Sequence, residues 1–317
     1  VNLTQRQQAA VDRIKKRLAT GEDAIVETDC LCGDGDRERL AATDRHGIPS
    51  PTWLCRRCGM VYVSPRPDEA ALKRFYNEDY FDLYASKSAE DVGELFSIQR
   101  RQGADVAAFV DGAGIGAPKV VYDIGCGTGG MLAVFADRGA TVAGADYAEN
   151  LVAFGNGRLG NGVLRVGGGD ALADLPPADL LIASHLVEHL SDPVGWAASL
   201  RGLVRDGGLV YILTPGLRSG GTIMNGVASQ FLNMHLYYFT LGTLSMVMAK
   251  AGFSLVKGSE TVEAIYRKEA SAPLSTGLDG DPALVDYLAR AGRLRPVMAA
   301  LRPLWRWKNE LLKRVNG

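Results

Sequence analysis

Val120-Val-Tyr-Asp123-Ile-Gly125-Cys-Gly127-Thr-Gly129-Gly130 is the stretch on which the fold turns. An apolar strand runs into a glycine-dense turn, and a helix begins at Met131. Glycine lets a backbone approach a ligand where a side chain would block it. The helix N-terminus adds free N–H groups and the positive end of the helix dipole. Downstream, apolar strands alternate with helices, the pattern of a parallel α/β sheet. Strands are expected at Val120–Asp123, Thr141–Asp146, Gly162–Val166, Asp179–Ser184, Gly208–Thr214, Phe253–Lys257 and Val262–Arg267. Helices are expected near Gly130–Arg138, Ala148–Gly157, Pro193–Leu203 and Leu241–Ala251, and residues 215–240 show no clear period.

Gly125, Gly127 and Gly130 satisfy G-x-G-x-x-G, which alone fits a dinucleotide enzyme as well as a methyltransferase. Asp146 ends the second strand, where it can bind ribose hydroxyls in either reading. Three features separate the two. Asp123 stands directly before the turn, where a carboxylate would repel a pyrophosphate but tolerate an ammonium group. Gly-Gly-Gly-Asp170-Ala171 follows the third strand, placing an acceptor for an adenine amino group. Only one α/β unit is present, without a separate domain for a hydride acceptor.

These residues resemble the class I methyltransferases that depend on S-adenosylmethionine (AdoMet), over about residues 95–267. The resemblance rests on Asp123 to Gly129, Val142 to Asp146, Gly169-Asp170-Ala171, and Ser184-His-Leu-Val-Glu188-His189-Leu-Ser-Asp192-Pro193. Gly207 to Pro215, His235-Leu-Tyr-Tyr-Phe-Thr240 and Ala251-Gly-Phe253 also match. It implies a Rossmann-like seven-stranded sheet with the last strand antiparallel. It also implies that the turn containing Gly125, Gly127 and Gly129 cradles the methionine part of AdoMet, that Asp146 holds the ribose, and that Asp170 and Ala171 meet the adenine.

Methyl transfer from a sulfonium is an in-line displacement, so much of the catalysis is positioning. A hydroxyl acceptor also gains from a base, for which histidine is suited near neutral pH. There are four histidines. His235 lies in the aperiodic stretch, where a long irregular segment is often a lid, and stands first as base candidate. His185, after the fourth strand, stands second, and His189 third. No carboxylate pair of the kind that holds a catalytic magnesium is evident, which disfavours metal-assisted methylation.

Residues 28–64 are polar, rich in turn residues and hold four of the five cysteines. Cys30-Leu-Cys32-Gly33 and, 22 residues on, Cys55-Arg-Arg-Cys58-Gly59 read as two knuckles of a structural zinc site. The first pair is one residue short of ribbon spacing, so Asp29 or His46 stand as alternatives to Cys30. The phrase from Cys55 to Pro67, followed by Tyr76-Asn-Glu-Asp-Tyr80-Phe81, is similar to the zinc-module-plus-methyltransferase architecture of bacterial sugar and surface-polysaccharide methyltransferases.

Four regions follow: an N-terminal helix (1–27), a zinc-ribbon-like module (28–67), a methyltransferase domain with a helical lead-in (68–270), and a basic helical extension (271–317). Net charge is −1, so no bulk attraction to nucleic acid is expected. No secretory signal or transmembrane run is evident, which points to the reducing cytoplasm, where clustered cysteines suggest metal. From Arg293 to Arg314 seven Lys or Arg residues face one acid, with Trp305 and Trp307 interleaved. That helix is expected to pack on the body; the alternatives are a peripheral contact with the inner membrane or a glycan-assembly partner. The function expected is O-methylation of a sugar hydroxyl, nucleotide-linked or in a surface glycan. C- or N-methylation, an NAD-dependent oxidoreductase and a non-catalytic AdoMet-binding module are the alternatives.

Overall fold

The computed structural model describes residues 3–84, 91–114, 116–218, 220–270 and 280–293. Helix α1 (Gln5–Thr20) opens with a capping box between Thr4 and Gln7 and buries Ala10, Val11 and Ile14. Five short strands follow: β1 (Ile25–Val26), β2 (Arg37–Thr43), β3 (Pro49–Cys55), β4 (Val61–Val63) and β5 (Arg66–Pro67). The helical lead-in is α2 (Glu69–Glu78), α3 (Tyr80–Tyr84) and α4 (Val92–Asp111). The alternating part runs β6 (Val120–Ile124), α5 (Gly130–Asp137), β7 (Thr141–Asp146), α6 (Glu149–Leu159), β8 (Leu164–Val166), β9 (Ala178–Ser184), α7 (Pro193–Ser199) and β10 (Val204–Leu213). It closes with α8 (Gly220–Asn225), β11 (Tyr237–Tyr238), α9 (Leu241–Lys250), β12 (Phe253–Gly258) and β13 (Glu263–Lys268).

The main sheet has seven strands in the order β12-β13-β10-β9-β6-β7-β8. Strands β10, β9, β6, β7 and β8 are parallel, and β13 is antiparallel to both its neighbours. This is the α/β Rossmann-like arrangement that the strand pattern implies. Both faces of the sheet are covered, which is why its strands read as apolar runs rather than clean alternations. Val121, Leu180, Ile182 and Tyr211 pack toward Val106, Leu132 and Phe135 of α4 and α5. Their chain neighbours Tyr122, Leu181, Ala183 and Ile212 point the other way, into a core shared with Ala197 of α7 and Leu244 and Val247 of α9.

The cysteine region is more strand than its sequence suggests. Strands β2, β3 and β4 form an antiparallel sheet, and β11 adds the fourth strand. Among its described residues the stretch 215–240 therefore holds only short elements: its two-residue strand is fixed by pairing with Tyr62 and Val61, a tertiary cause that no local period can register. The small sheet is not an appendage either. Cys30, Cys55, Cys58, Met60 and Tyr62 belong to the same apolar cluster as Tyr122 and Leu181.

The C-terminal region contributes a helix over 283–293. Leu284 is buried among Leu54, Val61, Val63 and Tyr238. The Asp281 N–H donates to the Cys58 carbonyl at 2.8 Å, and Arg218 donates two hydrogen bonds to the Asp281 carboxylate at 2.9 and 2.7 Å. The basic stretch with Trp305 and Trp307 lies outside the described residues. Among the described residues no helix is long and apolar enough to cross a membrane.

Candidate functional site

The glycine turn after β6 sits at the C-terminal edge of the sheet. Its glycines do different jobs. A Cβ on Gly129 would stand 2.7 Å from a Leu159 methyl, and one on Gly130 would stand 2.4 Å from the Phe96 carbonyl, so these two serve the close approach of α4, α5 and α6. Gly125, at φ +79°, would place a Cβ in open space. Its conformation demands glycine, and its free side is where a ligand can reach the turn. Gln99 on α4 steadies the turn from behind: its side-chain oxygen accepts from the Thr128 N–H at 3.1 Å, and its amide lies where a Cβ on Gly127 would fall. Nothing in the sequence marks Gln99, because it acts across 29 residues.

Asp146 ties the second strand to the same turn. One carboxylate oxygen accepts from the Gly127 N–H and the other from the Ala148 N–H, both at 2.8 Å. Each oxygen keeps a second lone pair for a hydroxyl ligand. The next residue, Tyr147, is 79% exposed, which is unusual for a tyrosine ring at a strand end. A Cβ on Gly168 would stand 2.8 Å from the Tyr147 hydroxyl and 3.1 Å from an Asp170 oxygen, so ring, glycine and acid share one rim, with Ala171 following in the same short turn. The sequence signal for Tyr147 is slight: an aromatic residue directly after the acid that ends β7. A cleft of about 640 Å³ opens at the other edge of the sheet, between Lys119, Asp179, Arg205 and Arg267, and contains no residue of the glycine turn and neither Asp146 nor Asp170.

Asp123 is 1% exposed and its Oδ2 has no hydrogen-bond partner. Burial, with the field of Asp146 added, pushes its carboxyl well above the ordinary carboxylate range. A raised folded-state value stabilises the chain below about pH 4, and that contribution is lost as pH rises through the folded value. Asp123→Asn should therefore stabilise the ligand-free chain at pH 7 by about 1 kcal/mol or more and leave it nearly unchanged at pH 4. Thermal melts of both proteins across that range check this; an equal effect at both ends would refute it.

The loop after β9 collects three histidines around Glu188. His185 adopts φ +53°, and its side chain is 52% exposed, with Nδ1 3.4 Å from Glu188 Oε1. His189 Nδ1–H donates to the Met234 carbonyl at 3.2 Å, leaving Nε2 3.9 Å from the same Glu188 oxygen. His235 lies edge-on to His189, with ring centroids 4.8 Å apart, and is 6% exposed. Burial pushes the His235 imidazole down to about 3 and lowers His189 as well. The segment expected to form a lid is thus a packed strap: His235, Tyr237 and Tyr238 are all buried, and the Tyr238 hydroxyl is bonded to the backbone of Leu232. Of the three candidate bases, His185 alone presents a substantial exposed surface.

The four cysteines of the N-terminal module converge. Cys30 Sγ lies 3.4 Å from Cys58 and 3.5 Å from Cys32, and Cys32 lies 3.6 Å from Cys55. All four sulfurs fall within 4.8 Å of one another. Tetrahedral zinc with Zn–S bonds of about 2.3 Å would hold its sulfurs about 3.8 Å apart, so the donor set fits such an ion. Gly33 and Gly59 close the two turns through N–H bonds to the Cys30 and Cys55 carbonyls. Hydrogen bonds, led by that from Cys30, hold the Cys58 thiol down at about 6, whereas burial pushes Cys55 up to about 11. Cys30 is a full member of the set. His46 is elsewhere, its Nδ1 3.6 Å from Asp44, and Asp29 is not in the cluster.

A family model described as a methyltransferase domain matches residues 98–257, half of the chain. Ubiquinone biosynthesis O-methyltransferase of Leptothrix cholodnii is 36% identical over 101 residues, covering 30% of this chain and 43% of that protein. Its Pseudomonas aeruginosa namesake is 34% identical over 104 residues, 31% of this chain and 45% of that one. The chain thus spans less than half the length of these curated relatives. Among solved structures, a magnesium protoporphyrin IX methyltransferase from Synechocystis gives a TM-score of 0.45 at 17% identity over 64% of this chain and all of the other. A 1,6-didemethyltoxoflavin-N1-methyltransferase from Burkholderia thailandensis gives 0.46 at 18% identity, over 74% of this chain and all of the other. With the glycine turn, Asp146 and the seven-stranded sheet in place, and half the sequence matching one family model, the chain belongs to the methyltransferase domain family.

Proposed function

We propose that the chain O-methylates a sugar hydroxyl, nucleotide-linked or in a surface glycan, with His185 as general base and a zinc ion held by Cys30, Cys32, Cys55 and Cys58. The observation that carries the catalytic part is the half-exposed His185 at the C-terminal end of β9, backed by the buried carboxylate of Glu188. When bound, AdoMet supplies an activated methyl group whose carbon–sulfur bond breaks as the acceptor oxygen attacks, the sulfur leaving with the electron pair. The chain's own residues do the rest. The Gly125 turn and Asp146 hold the donor, and the orphaned Asp123 oxygen suits the ammonium group of its methionine part. Tyr147 and the rim around Asp170 and Ala171 offer a face and an acceptor to the adenine. His185 takes the hydroxyl proton through Nε2, while Nδ1 faces Glu188. The zinc ion does no chemistry; four protein thiolates leave no open position.

A second reading, a phenolic acceptor, is favoured by the curated relatives, whose name places them in ubiquinone biosynthesis. A phenol, with a pKa of about 10, would also yield its proton to an imidazole more readily than a sugar hydroxyl. Incubation of the chain with methyl-labelled AdoMet and a panel of sugar nucleotides, glycans and phenols, read by mass spectrometry, separates the two. His185→Gln should lower kcat on the acceptor found by about 10²-fold or more with AdoMet affinity unchanged. Full turnover in that variant would remove His185 from the role.

A further inference from the structure

The structure points to a second metal site, which we infer to be a divalent transition-ion site formed by Glu188 Oε1, His189 Nε2 and a ring nitrogen of His235. One ligand atom from each of the three residues lies within 4.8 Å of the others, and they come from two segments, the loop after β9 and the strap before α9. Two imidazoles and one carboxylate suit zinc, cobalt or iron better than magnesium.

The case begins with a mismatch of lone pairs. The Met234 carbonyl can only accept, so the hydrogen on His189 is on Nδ1, and in a neutral ring Nε2 carries a bare lone pair. That lone pair faces Glu188 Oε1, a buried oxygen that makes no well-formed hydrogen bond even to His185 Nδ1, 3.4 Å away. Two acceptors directed at each other in a dry interior repel, and a cation between them removes the conflict. The surroundings also match a metal centre. Metal-bound histidines characteristically donate their second nitrogen to a carbonyl, as His189 does to Met234. Ligating carboxylates are themselves hydrogen-bonded, and Glu188 Oε2 accepts from the Thr214 hydroxyl at 2.9 Å. Ligand atoms around a tetrahedral ion with bonds of about 2.1 Å stand about 3.4 Å apart, so the 3.9 Å between Glu188 and His189 need close by only about half an ångström.

The ion would fasten the strap to the strand-end loop, replacing contacts that the short β11 pairing cannot supply alone. It would also place positive charge behind His185, whose Nδ1 faces the same Glu188 oxygen. That influence on the acceptor rests on the methyl-transfer reading; the ion site itself does not.

The test is equilibrium dialysis of the tag-free, full-length chain against Co²⁺, with total metal counted by elemental analysis and cobalt read by its visible spectrum. One Co²⁺ per chain should bind without the intense thiolate-to-cobalt charge-transfer bands of a cysteine site. Glu188→Gln and His235→Ala should each weaken that binding by tenfold or more, with the metal content of the cysteine module unchanged. AdoMet affinity is measured on the same samples: loss of the cobalt site alone would leave the donor pocket standing, and loss of AdoMet binding alone would leave the ion site standing. No uptake by the native chain, as an internal His189–Glu188 ion pair would give, overturns the inference. So does uptake unaltered in both folded variants.

Discussion

Replacing Cys55 by serine should lower the thermal midpoint of the whole chain by about 10 °C, not merely loosen its N-terminal third. Structural zinc sites contribute folding free energy outright, about 10–16 kcal/mol of apparent binding in isolated zinc-finger peptides, against a typical domain stability of about 5–15 kcal/mol. A serine hydroxyl is a poor substitute for a thiolate, and the remaining three thiols would be left crowded, with Cys30 and Cys58 buried. In an appended module that loss would stay local. Here Cys55 and Cys58 lie in one apolar cluster with Tyr122 and Leu181 of the central sheet, and the Cys58 carbonyl anchors the C-terminal segment through Asp281. The penalty is therefore shared with the catalytic fold. A loss of about 7 kcal/mol, within what a structural zinc site can contribute, corresponds to a shift of about 10 °C in a chain of this size. Scanning calorimetry with and without a strong chelator reads it. The chelator should bring the native chain down at least to the midpoint of Cys55→Ser and move the variant by much less. A native chain indifferent to both treatments would mean that the four sulfurs pack without an ion.

Much of this was legible beforehand, and what was not has identifiable causes. The seven strands of the main sheet are readable because each is an apolar run bounded by glycine or an acid, and their order follows from the family pattern in which the last strand turns antiparallel. The candidate donor-site residues are readable because Asp123 with Gly125, then Asp146, then Asp170 stand at or just after the ends of successive strands. The strands β2 and β3 were missed because their outer positions are half-exposed and charged, as in Arg37-Glu-Arg39, and their pairing contains two register shifts. Gln99 and Met234 act across sequence gaps that no motif spans. His235 ranked first as base because an aperiodic segment suggests mobility. Its lack of period has another origin: the strap is shaped by the cysteine sheet, the histidine cluster and the Leu232 backbone rather than by its own propensity.

The second large effect is expected at Asp146. Asp146→Ala should weaken AdoMet binding by about 100-fold, close to 2.7 kcal/mol, as measured by isothermal titration. Two losses combine. The Gly127 and Ala148 N–H groups lose a charged acceptor, a bond class worth about 1.5–3 kcal/mol each, and the ribose hydroxyls lose theirs. Asp146→Asn keeps one acceptor oxygen and should lose about tenfold, near 1.4 kcal/mol. The two losses separate with a ligand lacking the ribose hydroxyls, the 2′,3′-dideoxy form of S-adenosylhomocysteine. If the carboxylate touches the ribose, the native chain prefers the hydroxylated ligand and Asp146→Ala does not, because removing either partner of a contact abolishes the same interaction energy. If the variant keeps the full preference, Asp146 acts only by shaping the turn, and the ribose is held by other groups. Unchanged affinity in Asp146→Ala would go further and remove the residue from the donor site altogether. That would leave the open face of Gly125 without the neighbour that gives it chemical meaning.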